Sequence, residues 1–229
     1  MYNNITLSHS QQQLIFGGML GDGYFNKDRN FFRFYQSKKQ EEYLLWKYSL
    51  FDELETSRIY ERVHKQGYVG CSFEVKRNSN LCDLYSYIKH HLYSNSGRKK
   101  ISLEFLSNID ELGLAIWWMD DGSLCNHKGN RWGKLCTECF NYEEHILLQK
   151  YFKDKWGINV SIKQEKGKYY FIRFNVAALK KLFSLIYKYV MSVPCMIYKI
   201  DMNYQNNVSL GEYEDAYKAI QEYKNGLNI

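Results

Sequence analysis

The chain of 229 residues contains a single proline, Pro194, and no stretch rich in glycine and serine. Such stretches are the usual marks of linkers, so none is indicated. Long apolar runs are also missing. The longest, Leu114 to Met119, falls far short of the ~20 residues needed to cross a bilayer, which argues against a membrane partner. The opening M-Y-N-N-I-T-L-S-H-S has no charged stretch followed by an apolar one. No signal peptide is therefore expected, and the expected location is intracellular, a bacterial or phage-infected cytoplasm or an organelle matrix. In a reducing compartment the 6 cysteines are expected as thiols rather than as a disulfide framework.

What is present points to a packed, basic protein. Apolar residues make up 45%, with 21 Tyr, 13 Phe and 5 Trp, which suits a core rather than a disordered chain. The net charge is +6 and uneven. From position 201 onward Asp201, Glu212, Glu214, Asp215 and Glu222 outnumber Lys218 and Lys224, so the positive excess lies in the body before this tail. A basic body suits a polyanion such as nucleic acid.

The chain also repeats itself. L-I-F-G-G-M-L-G-D-G-Y-F (residues 14–25) and L-G-L-A-I-W-W-M-D-D-G-S-L (112–124) are both apolar runs that end in Asp-Gly. Asp22 and Asp121 lie about a hundred residues apart, a spacing that suggests duplication. After Asp22, polar–apolar alternation reads as a hairpin with its turn near Lys27 to Asn30. A helix follows with Leu44, Leu45, Tyr48 and Phe51 on one face. A second hairpin turns around Gly67, and Asn80 to Leu92 closes the half as a helix. The second copy matches: a hairpin over Ser123 to Thr137, a helix over Asn141 to Trp156, strands Asn159–Gln164 and Tyr169–Phe174 around Gly167, and a helix over Val176 to Val190. A further helix is expected over Glu212 to Lys224. The expected architecture is α+β. Two pseudo-symmetric αββαββα halves, residues 1–109 and 110–205, would form a saddle-shaped antiparallel sheet surface with helices behind it, followed by a C-terminal helix in 206–229. Alternation puts Arg58, Tyr60, Arg62 and His64 opposite Ile59 and Val63, and Asn159, Ser161 and Lys163 opposite Val160 and Ile162. These exposed residue types make base-edge and phosphate contacts.

The stretches I-F-G-G-M-L-G-D-G (Ile15 to Gly23) and L-A-I-W-W-M-D-D-G (Leu114 to Gly122) resemble the LAGLIDADG homing endonuclease family, in its monomeric two-motif form. T-E-C-F-N-Y-E-E, Y-Y-F-I-R-F-N and the ending P-C-M-I-Y-K-I resemble it too, so the likeness runs over almost the whole chain. It implies a sequence-specific double-strand DNA endonuclease of a mobile intron, with a long asymmetric double-stranded DNA target. It implies Asp22 and Asp121 as catalytic metal ligands, one per strand, with Lys100 and Lys199 near the scissile phosphates, Lys99 being the rival to Lys100 for the first position. Gln36 and Glu138 align with a polar position near the attacking water, although Glu138 departs from the usual Gln. DNA contacts are expected from Arg29, Arg33, Arg58, Tyr60, Arg62, His64, Lys128, Arg131, Lys134, Lys163, Lys168 and Arg173.

Physical reasoning supports the acidic pair independently. If the motif helices pack together, Gly17, Gly18 and Gly21 allow close approach at a helix cost of about 1 kcal/mol each. Asp22 and Asp121 would then end the helices side by side, with Gly23 and Gly122 as C-caps. Two carboxylates so placed repel, and a divalent cation relieves the conflict. Mg²⁺, with Mn²⁺ as a substitute, suits oxygen ligands and phosphate. Carbonyl oxygens at the helix ends put Gly21 and Asp120 in the metal set, Asp120 as a secondary member because its counterpart is Gly21.

Three rivals remain. An RNA-binding maturase on this scaffold would take host intron RNA as partner. A non-catalytic DNA-binding regulator would be expected to lose the acidic pair. Cys125, His127, Cys136 and Cys139 form C-x-H-x8-C-x2-C, a possible Zn²⁺ set, but a strand over 135–139 would turn Cys136 and Cys139 to opposite faces.

Overall fold

The computed structural model describes residues 7–51, 56–63, 67–77, 79–127, 130–203 and 209–227. The chain divides into two compact units, Met1–Asp120 and Asp121–Ile229. Both mix helices with one four-stranded antiparallel sheet, the α+β class.

The first unit begins with α1 (His9–Leu20). Ser8 starts it with a reciprocal capping box to Gln11. Its residues from Gln13 to Leu20 are all buried, so this helix is apolar on every side, as a central helix is. A hairpin of β1 (Tyr24–Asn26) and β2 (Phe31–Ser37) follows. Its turn is at Lys27 to Asn30, where Asn30 adopts φ 53°. Then come α2 (Glu41–Ser49), β3 (Tyr60–Val63), β4 (Val69–Val75), α3 (Cys82–Leu92) and the short α4 (Leu103–Leu106). The sheet order is β1-β2-β4-β3.

Strand β2 alternates strictly. Phe32, Phe34 and Gln36 are buried, whereas Arg33, Tyr35 and Ser37 are half-exposed. Phe32, Phe34 and Phe73 face the helices, with ring centroids of Phe34 and Phe73 5.3 Å apart. On α2 the buried residues are Tyr43, Leu44 and Lys47. Leu45, expected on that face, is exposed. The edge strand β3 is exposed on both faces, Val63 included, so the helices do not cover the sheet as far as its edge.

The motif helix α5 (Glu111–Asp121) ends at the unit boundary. Leu112 to Met119 are all buried. It crosses α1 at glycines: a Cβ on Gly17 would sit 2.3 Å from the carbonyl oxygen of Gly113. The other motif glycines meet different partners, Phe34 for Gly18 and Asp120 for Gly21. Gly21, not Gly23, caps α1, its N–H bonding Gly17 O. Gly122 is no cap either: it opens strand β5.

The second unit repeats the order: β5 (Gly122–His127), β6 (Asn130–Leu135), α6 (Tyr142–Trp156), β7 (Ser161–Glu165), β8 (Tyr169–Phe174) and α7 (Val176–Met191). Its sheet order is β5-β6-β8-β7. Asn141 and Glu144 form a capping box at the start of α6, and Gly157 ends it in the left-handed region at φ 63°. A 3-10 turn at Pro194–Lys199 and α8 (Glu214–Gly226) follow, α8 lying on α7.

Candidate functional site

In the first unit the end of α1 holds Asp22 beside Asp120, the penultimate residue of α5. The Asp120 side chain is fully buried and pairs at 2.6 Å with Lys47 Nζ, itself fully buried. The ammonium also lies 4.2 Å from the centre of the Tyr43 ring. One side-chain amide joins the two aspartates: Gln36 Nε2 donates to Asp22 Oδ2 at 3.0 Å and to Asp120 Oδ1 at 3.2 Å. The main-chain N–H of Asp22 donates to Asp120 Oδ2 at 3.2 Å. Gly21 makes room, since a Cβ there would sit 2.5 Å from Asp120 Cβ. The Asp120 carboxylate is therefore internal, which leaves its main-chain carbonyl as the group it could offer a cation. Asp22 is exposed.

The basic residue at this site is Lys99. Its Nζ donates to the carbonyls of Gly21 at 3.3 Å and Gly23 at 3.1 Å. Lys100, the residue expected here, instead lines a surface cleft with Ser86, Lys89, His90 and Tyr93.

In the second unit Lys199 does what Lys99 does in the first: its Nζ donates to Gly122 O at 2.7 Å. The surroundings of Asp121 differ. Its carbonyl accepts from Cys136 N at 3.1 Å. Lys134 pairs with Glu138 and Glu165, each at 2.7 Å. Burial works against the Lys134 charge, but these carboxylates outweigh it and hold its pKa above the usual lysine value. Burial pushes the Cys136 thiol up to about 11, with Glu138 and Asp121 adding to the rise.

Strand register also shows that Glu138 is not the counterpart of Gln36. Tyr24, two residues after Asp22, pairs with Arg33. Ser123, two after Asp121, pairs with Lys134. Gln36 therefore corresponds to Thr137, which is buried and bonds His145 Nε2 at 2.9 Å.

The open face of each sheet carries most of the expected nucleic-acid contacts. In the first unit Arg33 lies over the rings of Tyr24 and Phe31 and bonds Glu74 at 2.9 Å through Nε. Arg58 lies over Tyr60, and Arg62 is exposed on the same strand edge. Tyr35 crosses the strand onto Gly70, where a Cβ would be 1.9 Å from its hydroxyl oxygen. In the second unit Trp132 stacks on Phe171 at 6.1 Å, with Arg173 over Trp132 and Lys134 over Phe171. Lys163 shares this face through its pairing with Phe171. Arg29 and Lys168 lie exposed in hairpin turns. Arg131 is placed differently. It alternates with Trp132 and donates to Asn203 O at 3.0 Å, lining a cleft with Leu124, Tyr198 and Met202 on the other side of the sheet. His64 and Lys128 lie outside the described residues, as does the side chain of His127. Among the described residues no three His, Cys, Asp or Glu side chains converge as a metal site.

Sequence reasoning missed Lys47 and placed Lys99 just behind Lys100. A lysine inside the buried stripe Tyr43, Leu44, Lys47, Phe51 was the available signal for the first.

Two four-stranded sheets, each following an apolar helix with an aspartate at its end, define a duplicated α+β scaffold. The chain belongs to the LAGLIDADG DNA endonuclease family, whose profile matches residues 12–182. Its fold is similar to that of the homing endonuclease I-WcaI bound to its DNA recognition sequence, with a TM-score of 0.73 and 27% identity over 87% of this chain and 89% of that one. Protein RecA of Mycolicibacterium flavescens is 30% identical over 210 residues, 85% of this chain but 47% of that protein. The chain thus spans about half the length of the curated relatives it matches first. Probable intron-encoded DNA endonuclease 3 of Mycosarcoma maydis is 33% identical over 131 residues, 56% of this chain and 89% of that protein. Cytochrome b mRNA maturase bI2 of Saccharomyces cerevisiae is 29% identical over 217 residues, 87% of this chain and 49% of that protein.

Proposed function

We propose that the protein is a sequence-specific homing endonuclease that cuts both strands of double-stranded DNA with Mg²⁺, Asp22 serving one strand and Asp121 the other. The observation that carries this reading is the repeated end of the motif helix: each unit has an aspartate there and a lysine, Lys99 or Lys199, on the neighbouring carbonyls.

The donor set fits a hard cation. Asp22 is exposed and Asp121 half-exposed, and each lies beside main-chain carbonyl oxygens, the ligand types Mg²⁺ takes alongside water and phosphate. When bound, such an ion polarises the phosphate, lowers the pKa of the attacking water and steadies the leaving oxygen. The protein's own part is placement. Gln36 fixes one oxygen of Asp22, leaving the carboxylate a set direction. Lys99 and Lys199 bring positive charge to the helix ends, where it offsets charge gathering on the phosphate. The open faces, with Arg33, Arg58, Arg62, Lys163 and Arg173 among aromatic rings, would seat the duplex by phosphate contact and base-edge reading.

The test is cleavage of DNA spanning the insertion site of the host element, with Mg²⁺, Ca²⁺ or EDTA. A double-strand break with Mg²⁺, absent with EDTA and lost in Asp22→Asn and Asp121→Asn, is expected. Wild-type cutting by both variants would refute the reading. A second reading, an RNA-binding maturase, draws on the similarity to maturase bI2. Splicing assistance that survives loss of both aspartates would favour it.

A further inference from the structure

We infer that Lys47, acting through Asp120, is a positioning residue for Asp22, so that one of the two cutting sites can be disabled without the other. This rests on the nuclease reading above.

Four hydrogen bonds make the chain of cause. Lys47 Nζ holds Asp120 Oδ1 at 2.6 Å with both side chains fully buried. Asp120 accepts from the main chain of Asp22 at 3.2 Å. Gln36 spans the two carboxylates with one nitrogen. A buried ion pair is a poor source of stability, because desolvating two charges offsets their attraction. This pair is better explained by what it fixes. With Asp120 held, the Gln36 amide has one arrangement that satisfies both aspartates, and Asp22 is aimed by its backbone and its side chain together. Without Asp120 the amide can rotate away, and the Asp22 main chain loses its acceptor.

In the second unit the positions that brace Asp22 are filled differently. The register position of Gln36 is taken by Thr137, which is committed to His145. The offset that sets Thr137 against Gln36 sets Leu148 against Lys47, and Leu148 is buried and apolar, so it offers no charge there. The residue before the first motif's aspartate is Gly21, which has no side chain to offer.

The experiment uses wild type, Lys47→Met and the double variant Lys47→Met/Asp120→Ala. Single-turnover cutting of each end-labelled strand is followed on the host insertion-site duplex at saturating protein, with DNA affinity in Ca²⁺ measured separately. Two metal-free readouts accompany it: melting temperature, and the ¹H–¹⁵N signals of the Gln36 side-chain amide. The double variant removes the buried charges, so it is expected to melt near wild type while still lacking the brace. In both variants the strand lost in Asp22→Asn should be cut about 100-fold more slowly, the effect of an ångström-scale misplacement. In Lys47→Met the other strand should keep its wild-type rate and DNA affinity should hold, so the product is a nicked duplex. The Gln36 amide pair should move toward the position of a solvent-exposed glutamine. Equal slowing of both strands in Lys47→Met, wild-type cutting of both, or an unmoved Gln36 amide would overturn the inference while leaving the nuclease reading intact. Failure of the wild type to cut either strand would instead overturn the nuclease reading, and this inference with it.

Discussion

Replacing Lys47 with Met tests how the first unit is held together. The substitution is nearly isosteric, so it changes charge more than packing. It leaves the Asp120 carboxylate, with no exposed surface of its own, relying on two hydrogen bonds of 3.2 Å from Gln36 and from the Asp22 main chain. Breaking a buried pair by removing one partner costs about 3–5 kcal/mol, because the remaining charge is uncompensated. For a chain of this size 1 kcal/mol moves the melting temperature by roughly 2–4 °C, so the expected fall is about 6–20 °C. Urea unfolding should give the same loss as a lower midpoint. Adding Asp120→Ala should return most of it, because the second substitution removes the stranded charge. The two effects would then be strongly non-additive, as contacts within one network are. A Lys47→Met protein within about 1 kcal/mol of wild type would show that the pair is not buried as described, far below the cost above. So would a double variant whose losses simply add.

Further perturbations probe packing, the sheet faces and the second site. Gly17→Ala drives a methyl into the Gly113 carbonyl, 2.3 Å away, and should cost about 1–3 kcal/mol or more in a melt. Gly226→Ala, with nothing within 4 Å, should be neutral or stabilise by up to ~1 kcal/mol; equal losses would refute the helix crossing. Arg33→Ala and Arg173→Ala should weaken DNA binding and, where a phosphate is contacted, lower the salt slope by about 1, while Arg131→Ala should leave both unchanged. A loss confined to Arg131→Ala would reverse the assignment of the faces. The Cys136 thiol, exposed yet with its pKa pushed up to about 11, stays protonated at neutral pH. Its alkylation, read by mass spectrometry, should accelerate only as pH climbs toward 11, and fast modification at pH 7 would contradict the placement of Glu138 and Asp121 around it.

The readable parts of this molecule are those that repeat or alternate. Asp22 and Asp121 stand out because the run before each is apolar on every side and ends alike. Strands β4 and β8 are legible because Val69–Val75 and Tyr169–Phe174 alternate after turns at Gly67 and Gly167. The errors arose where counting along the chain replaced register. A fixed interval from Asp-Gly selected Lys100, but the hairpins differ in length, β1 having 3 residues and β5 having 6. The side chain that reaches the helix end is Lys99. Aligning the Glu-Glu pairs selected Glu138, one residue beyond the strand register, because the 3-10 turn Lys38–Gln40 precedes α2. Lys47 depends on an aspartate 73 positions away. Its side chain was hidden among aromatic neighbours, where a lysine normally means only a long stem at the edge of a core.

The two sites also differ in how their charges meet solvent, and this yields a test that needs no mutation. At the first site the ion pair is wholly buried. At the second, Lys134 and its partners Glu138 and Glu165 keep 19%, 30% and 48% of their side-chain surface. Salt screens exposed charges, with a Debye length of about 10 Å at 0.1 M and 3 Å at 1 M, and reaches buried pairs much less. Raising salt weakens DNA binding for both strands alike, so the comparison must be made with duplex fully bound. Under that condition the strand assigned to Asp22 should keep its rate. The strand assigned to Asp121 should respond as the Lys134–Glu138–Glu165 cluster loosens, and the ratio of the two rates should drift with salt. Strand-resolved single-turnover kinetics across a salt series measures that ratio directly. A constant ratio would mean that the exposed cluster does not shape the chemistry at Asp121, leaving Lys199 and the carbonyl of Gly122 as the groups that do.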